Sequence, residues 1–107
     1  MSNDVLVQLA ATIHDRRAAS ADASYTRQLL DAGPVKCAKK LGEEAIETVM
    51  AGAGESDDRL KEEAADLIYH LLVLLEAREV AIAGVLAVLE ARMGTSGLKE
   101  KADRGKR

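Results

Sequence analysis

Hydrophobic residues recur along this chain with the spacing of amphipathic helices. Apolar residues recur three and four positions apart in the first segment, at Val5, Leu6, Leu9 and Ile13, and so predict a first helix. Small and polar residues at 18–24 then predict a loop. Because no segment carries a convincing strand signal, the pattern predicts an all-α chain.

Residues suited to helix ends delimit a second and a third helix. Ser24 can cap a short helix with the sequence SYTRQLLDA, which Gly33 stops. Pro34 suits the first turn of the third helix, because its missing N–H costs nothing there. We expect that helix to run to about Gly52.

Two more helices follow the turn GAGES at 52–56. Ser56 is placed to cap the fourth helix, which is expected to run to about Arg78. The fifth helix is centred on residues 82–93 and is expected to end at Gly94. Five helices with short connections predict an antiparallel bundle.

The two long helices, 34–51 and 57–78, are expected to form the central hairpin of this bundle. A chain of 107 residues is the size of one domain. We therefore assign residues 1–94 to a helical domain and residues 95–107 to a C-terminal tail without periodicity.

Composition predicts a thin core. Hydrophobic residues make up 48% of the chain, but aromatic residues make up only 2%, with no Phe and no Trp. The core must then be built from Leu, Ile, Val, Ala and Met. Because small domains bury a limited share of their surface, we expect the bundle to be completed by homodimerisation. The apolar stretch of the fourth helix, with Leu67, Leu71, Leu74 and Leu75, supports the same expectation.

The net charge of −3 is unevenly distributed. Residues 99–107 carry five basic and two acidic groups, a balance of +3, which leaves −6 for the rest of the chain. An acidic body argues against nucleic acid as a partner. The basic segment lacks aromatic residues, so a solvated terminus is a better interpretation than a nucleic-acid arm.

Several features indicate a soluble cytoplasmic protein. Cys37 is the single cysteine, so no internal disulfide is possible, which fits a reducing compartment. The start of the chain lacks a basic region before an apolar run and does not predict a secretory signal. Asp66 and His70 interrupt the apolar run at 64–75, and the run at 80–89 is too short to span a bilayer.

Carboxylates recur on both long helices of the predicted hairpin. In KKLGEEAIE at 39–47, Glu44 and Glu47 are three residues apart and share a helix face, and Glu63 and Asp66 have the same spacing. In an antiparallel hairpin, residues equally distant from the turn lie at similar heights. Glu44 is thereby level with Asp66 and Glu47 with Glu63, which predicts two adjacent carboxylate layers. The spacing fixes height and not orientation.

Both pairs are centred on Glu55 in the predicted turn, and Lys40 and His70 are level with each other one helical turn further on. Close carboxylates repel one another unless a cation lies among them. Hard divalent cations prefer carboxylate oxygens, and Mg²⁺ typically keeps waters and adds substrate phosphates. The arrangement suits a metal–phosphate site.

The alternative is that each acidic pattern marks only a solvated helix face, which is the usual meaning of EExxE or ExxD alone. The apolar neighbours of Glu63 and Asp66 favour the metal site, because they predict a largely buried fourth helix. Those neighbours are Leu67, Ile68, Leu71 and Leu72.

At these residues the chain resembles a known group, the MazG-like all-α nucleotide pyrophosphatases, whose signature is EExxE followed after a short turn by ExxD. The matching residues are Glu43, Glu44, Glu47, Glu63 and Asp66. Within that group the chain is similar to the phosphoribosyl-ATP pyrophosphohydrolase family. The segments that carry this likeness are SYTRQLL at 24–30, KKLGEEAIE at 39–47, EEAADLIYHLLVLL at 62–75 and TSGLKEKA at 95–102.

The resemblance implies a magnesium-dependent reaction in which phosphoribosyl-ATP and water give phosphoribosyl-AMP and pyrophosphate, early in histidine biosynthesis. It implies that Glu44, Glu47, Glu63 and Asp66 hold Mg²⁺. Glu43 is a candidate to orient or deprotonate the water, with a surface position as the alternative.

Five further residues are candidates to contact the substrate. Lys40 and Lys36 are candidates for phosphate, although Lys40 could instead pair with Glu44 four residues along its own helix and Lys36 could be solvated. Ser24 and Thr26 are candidates for phosphate or ribose, with a plain helix cap as the alternative for Ser24. His70 could contact substrate or form a hydrogen bond inside the bundle.

Two other functions compete with this interpretation. A housecleaning hydrolase of free nucleoside triphosphates would use the same metal motif, but the Ser-Tyr-Thr segment argues against it. A non-catalytic helical dimerisation module would show neither metal dependence nor phosphate release, and it would gain nothing from the acidic layers.

Overall fold

The computed structural model describes residues 4–93 and Arg104, so Gly94 and most of the predicted tail lie outside the described part of the chain. Residues 4–93 form five α-helices and no strand, which confirms the all-α prediction. The helices are α1 (Asp4–Asp15), α2 (Tyr25–Ala32), α3 (Pro34–Gly54), α4 (Asp57–Ala77) and α5 (Ile82–Arg92), and a short 3₁₀ turn (Arg16–Ala18) follows α1.

The predicted starts of α2, α3 and α4 are confirmed. The hydroxyl oxygen of Ser24 accepts a hydrogen bond from the backbone N–H of Arg27 at 3.1 Å. Ser56 accepts the equivalent bond from Arg59 at 3.2 Å. Pro34 occupies the first turn of α3. These bonds satisfy backbone donors that have no partner inside the helix.

The turn between the long helices is shorter than the sequence predicts. We expected α3 to stop near Gly52, but it continues to Gly54, and the N–H of Glu55 still donates to the carbonyl of Ala51. A Cβ built on Gly52 would lie 3.6 Å from the Leu60 side chain, so α4 packs closely on this segment. That packing outweighs the weak helix preference of glycine.

α3 and α4 form the predicted central hairpin, the most extensive helix pair in the described residues. α1 packs on α4, α2 contacts both long helices, and α5 packs on α1. A small aliphatic core forms where these helices meet, and its buried members are Ile13, Leu29, Cys37, Leu72 and Val73. No helix among the described residues is both long enough and apolar enough to cross a membrane.

Many large apolar side chains of the described residues remain exposed. On α3 they are Val35, Ile46, Val49 and Met50, and on α4 they are Ile68 and Leu71. We expected Ile68 and Leu71 to be buried, but in the single chain each is more than a third exposed, because the helices within residues 4–93 leave that side of α4 uncovered.

Candidate metal centre

Three carboxylates from the central hairpin converge on one point. Glu44 on α3 and Glu63 and Asp66 on α4 each place an oxygen within 4.8 Å of the oxygens of the other two. These are residues that the sequence placed in two adjacent layers. The antiparallel pairing of α3 and α4 brings the layers together, and the helix rotation aims all three side chains at the same point.

The three carboxylates differ in their exposure to water. Glu63 is buried, with 5% of its surface exposed, whereas Glu44 is partly buried and Asp66 is exposed. The group is therefore anchored in the protein on the Glu63 side and open to solvent on the Asp66 side. A small ion could enter such a site with some of its water retained.

Glu47, the fourth predicted ligand, lies at the edge of this group. Its side chain is exposed, and it lines a groove with Met50, Glu55, Arg59 and Glu63. It is not among the three carboxylates that converge. Its charge nevertheless acts on the group, because it contributes to the raised pKa of the Glu44 carboxyl described next.

The three carboxylates are close enough for their negative charges to act on one another. Burial raises the pKa of Glu44 above its ordinary value, and the negative charges of Glu47, Asp66 and Glu63 raise this pKa further. The Oε1 atom of Glu63 is buried and has no hydrogen-bond partner among the described residues. An all-oxygen donor set with an unpaired buried oxygen fits a hard divalent cation.

Arg59 is a residue of the site that the sequence interpretation missed. Its guanidinium binds Glu63 at 2.6 Å and Glu62 at 2.8 Å, and lies 3.5 Å from Glu55. The signal was present in the sequence, since Glu55 and Glu63 lie four residues before and after Arg59 on a helical spacing. Arg59 supplies positive charge to one oxygen of Glu63 and leaves the other oxygen free.

His70 is buried next to the carboxylates. Its Nε2 atom lies 3.7 Å from Oε1 of Glu44, and its ring meets the rings of Tyr69 and Tyr25 edge to face. Burial, and then the positive charge of Lys40, lower the pKa of His70 below its ordinary value, which favours the neutral ring. The Nδ1 atom of His70 has no hydrogen-bond partner among the described residues.

Lys40 pairs with a different carboxylate from the one considered in the sequence. The alternative to phosphate binding was an ion pair with Glu44, but Lys40 Nζ lies 3.2 Å from Oε1 of Glu43. The hydrogen bond from Lys40 lowers the pKa of Glu43, and the charges of Lys40, Lys39 and Lys36 lower it further. Glu43 is half-exposed and negatively charged, and Lys36 is exposed on the same helix.

Ser24 and Thr26 are both engaged by the fold. Ser24 is the helix cap that the sequence allowed as an alternative. Thr26 is buried, and its hydroxyl shares a hydrogen bond with the hydroxyl of Tyr69. The structure thus connects Thr26 with the carboxylates through Tyr69 and the adjacent His70.

Comparison with known proteins adds an independent line of evidence. A family model described as phosphoribosyl-ATP pyrophosphohydrolase matches residues 6–93. A phosphoribosyl-ATP pyrophosphatase of Cereibacter sphaeroides is 54% identical over 101 residues, which cover 94% of this chain and 98% of the relative. The protein of the same name from Nitrobacter winogradskyi is 50% identical over 106 residues, 99% of this chain and 91% of the relative. The matched segments contain all three converging carboxylates.

Proposed function

Since the chain belongs to the phosphoribosyl-ATP pyrophosphohydrolase family, we propose that it hydrolyses phosphoribosyl-ATP to phosphoribosyl-AMP and pyrophosphate, an early step of histidine biosynthesis. The observation that carries the proposal is the convergence of Glu44, Glu63 and Asp66 inside the segment that the family model matches. Assay of pyrophosphate release from phosphoribosyl-ATP, with and without Mg²⁺, tests it.

We propose that Mg²⁺ is the cofactor and that Glu44, Glu63 and Asp66 hold it, with Glu47 as a fourth ligand. The unpaired buried oxygen of Glu63 and the raised pKa of Glu44 support this assignment. When bound, Mg²⁺ would neutralise phosphate charge on the substrate and on the departing pyrophosphate. The exposed position of Asp66 leaves one side of the centre open to that substrate.

The chain's own residues have distinct tasks in this proposal. Hydrolysis forms a bond between the water oxygen and one phosphorus of the α–β anhydride and breaks the bond to the bridging oxygen. Glu43 is a carboxylate whose pKa Lys40 lowers further, so it can accept a hydrogen bond from that water and orient it. Lys40 holds Glu43 and presents positive charge for phosphate beside the carboxylates.

The remaining candidates belong to the substrate side of the site. We propose that Lys36 contacts phosphate from its exposed position in the first turn of α3. We propose that Ser24, Thr26 and His70 recognise the phosphoribosyl end, with Thr26 acting by way of Tyr69 because its hydroxyl is already bonded there. Discrimination against a plain nucleoside triphosphate would arise from this end of the site, since the metal centre treats all triphosphates alike.

We propose that the protein is a homodimer in the cytoplasm. The exposed apolar side chains of α3 and α4 support self-association, because a monomer would leave them in water. The single cysteine, Cys37, is buried and unpaired, which fits a reducing compartment.

A further inference from the structure

Thr48 belongs to α3, and its side chain reaches across to α4, the other helix that carries converging carboxylates. Its hydroxyl oxygen is 2.8 Å from the carbonyl oxygen of Glu44, one turn back on α3, and 3.1 Å from the carbonyl oxygen of Glu63 on α4. The Thr48 side chain is partly buried. A threonine hydroxyl has one proton to donate, so the two carbonyl oxygens share a single donor.

We propose that Thr48 is a positioning residue for the metal centre, holding the backbones of Glu44 and Glu63 at the separation at which their carboxylates can share one cation. The inference rests on the proposed function, since it concerns the same carboxylates. Both acceptors of Thr48 are the carbonyl groups of the two carboxylate residues themselves. The contact therefore fixes α3 and α4 relative to each other at the level where the ligands meet.

The double contact distinguishes Thr48 from an ordinary helical threonine. A threonine inside a helix commonly donates to the carbonyl four residues back, as Thr12 does to Gln8 on α1 at 3.0 Å. That bond lies within one helix and does not position one helix relative to another. Thr48 makes the same bond and adds an acceptor on the facing helix, which gives the hydroxyl a role beyond local helix structure.

Metal affinity is the property that this role predicts, because residues that hold metal ligands in place control how tightly the ion binds. Mn²⁺ serves as the probe: free Mn²⁺ is measured by electron paramagnetic resonance, with Mg²⁺ as competitor. Thr48→Val keeps the branched shape and removes the donor, and Thr48→Ser keeps the donor. Thr12→Val is the matched control, because it removes the same intrahelical bond away from the site.

We expect Thr48→Val to bind Mn²⁺ about tenfold more weakly than the wild-type protein, with Thr48→Ser and Thr12→Val close to wild type. Circular dichroism verifies the fold, and Thr48→Ala takes the place of Thr48→Val if that variant does not fold. Wild-type affinity in Thr48→Val, or an equal loss in Thr12→Val, overturns the inference. Absence of Mn²⁺ binding by the wild-type protein would overturn the proposed metal centre as well, so the two failures are distinguishable.

Discussion

Thr26 and Tyr69 share a hydrogen bond between their hydroxyl groups, which joins α2 to α4 across 43 positions of the chain. Tyr69 in turn packs edge to face on His70, with ring centroids 5.0 Å apart. His70 Nε2 lies 3.7 Å from Oε1 of Glu44. A side chain in the Ser-Tyr-Thr segment is therefore connected to the converging carboxylates through two residues of α4.

This connection predicts the behaviour of Thr26→Val. Loss of one hydrogen bond typically costs about 1 kcal/mol, so kcat/KM for phosphoribosyl-ATP should fall roughly fivefold while metal binding is unchanged. Tyr69→Phe removes the same bond and should have the same effect, and the double variant should be no worse than either. If Tyr69→Phe is fully active while Thr26→Val is impaired, Thr26 acts directly on the substrate and not through Tyr69.

Neutral variants of the proposed ligands should lose activity and keep the fold. Asp66→Asn and Glu47→Gln retain the side-chain shape but lose the charge that is proposed to hold the cation. Substitution of residues that only support metal ligands typically costs about 10–100-fold, so we expect a loss at the upper end of this range or beyond. Steady-state kinetics measures the loss, and Asp58→Asn, at an exposed position on α4, is the control.

The two ligand variants separate two versions of the site. Near-normal turnover in Glu47→Gln would remove Glu47 from the ligand set and leave the three carboxylates that converge. Near-normal turnover in Asp66→Asn would contradict the metal centre itself. In the metal-free protein, either variant should melt no lower than wild type, because it relieves repulsion among the carboxylates.

The height of these carboxylates was predictable from the sequence, but their rotation was not. Equal distance from Glu55 placed Glu44 level with Asp66, and the structure brings these two together with Glu63. Residues three apart differ by about 60° around a helix, and spacing does not say which of them faces the partner helix. In the structure, Glu44 is partly buried and Glu47 is exposed, a difference that the spacing could not predict.

Local sequence preference also predicted the wrong end for α3 and the wrong ion-pair partner for Lys40. Glycines near residue 52 favoured a turn, but α3 stays helical to Gly54, and the Leu60 side chain of α4 lies beside Gly52. The sequence interpretation considered Glu44, four positions along the helix, as the intrahelical partner of Lys40, but the structure pairs Lys40 with Glu43, three positions along. The thin aliphatic core, in contrast, followed from composition, because a chain with no Phe and no Trp has few large groups to bury.

Stability should depend on pH through the ion pairs of Glu76, away from the converging carboxylates. Burial alone would raise the pKa of Glu76, but hydrogen bonds from Arg17 and His14 outweigh it and hold the pKa below its ordinary value of 4.5. A lowered carboxyl pKa contributes stability above the unfolded-state pKa, and this contribution is lost as pH falls through the lowered value.

Glu76→Gln should therefore be less stable than wild type at pH 7, by about 1 kcal/mol, because solvent screens its half-exposed partners Arg17 and His14. The difference should shrink as pH falls below 4.5, the ordinary value for this carboxyl. Thermal melting of both proteins across this range measures it. If the stability difference between wild type and Glu76→Gln stays constant down to pH 3, the ion pairs of Glu76 do not stabilise the protein.

The exposed apolar side chains predict a dimer in solution. Sedimentation at micromolar concentration should show a particle of twice the mass of the 11.4 kDa chain. The physical reason is the apolar surface on α3, where Ile46 and Val49 are 64% and 69% exposed in the single chain. A compact monomer at that concentration would contradict the proposal.

The most direct test of the account is pyrophosphate release from phosphoribosyl-ATP, compared with release from ATP, dUTP and dCTP, each with and without Mg²⁺. The account predicts Mg²⁺-dependent release that is far faster with phosphoribosyl-ATP than with the plain triphosphates, because the substrate side of the site recognises the extra phosphoribosyl unit. Equal rates on ATP would contradict the histidine-pathway assignment and favour a housecleaning hydrolase. No release from any of the four would contradict catalysis and favour a helical dimerisation module.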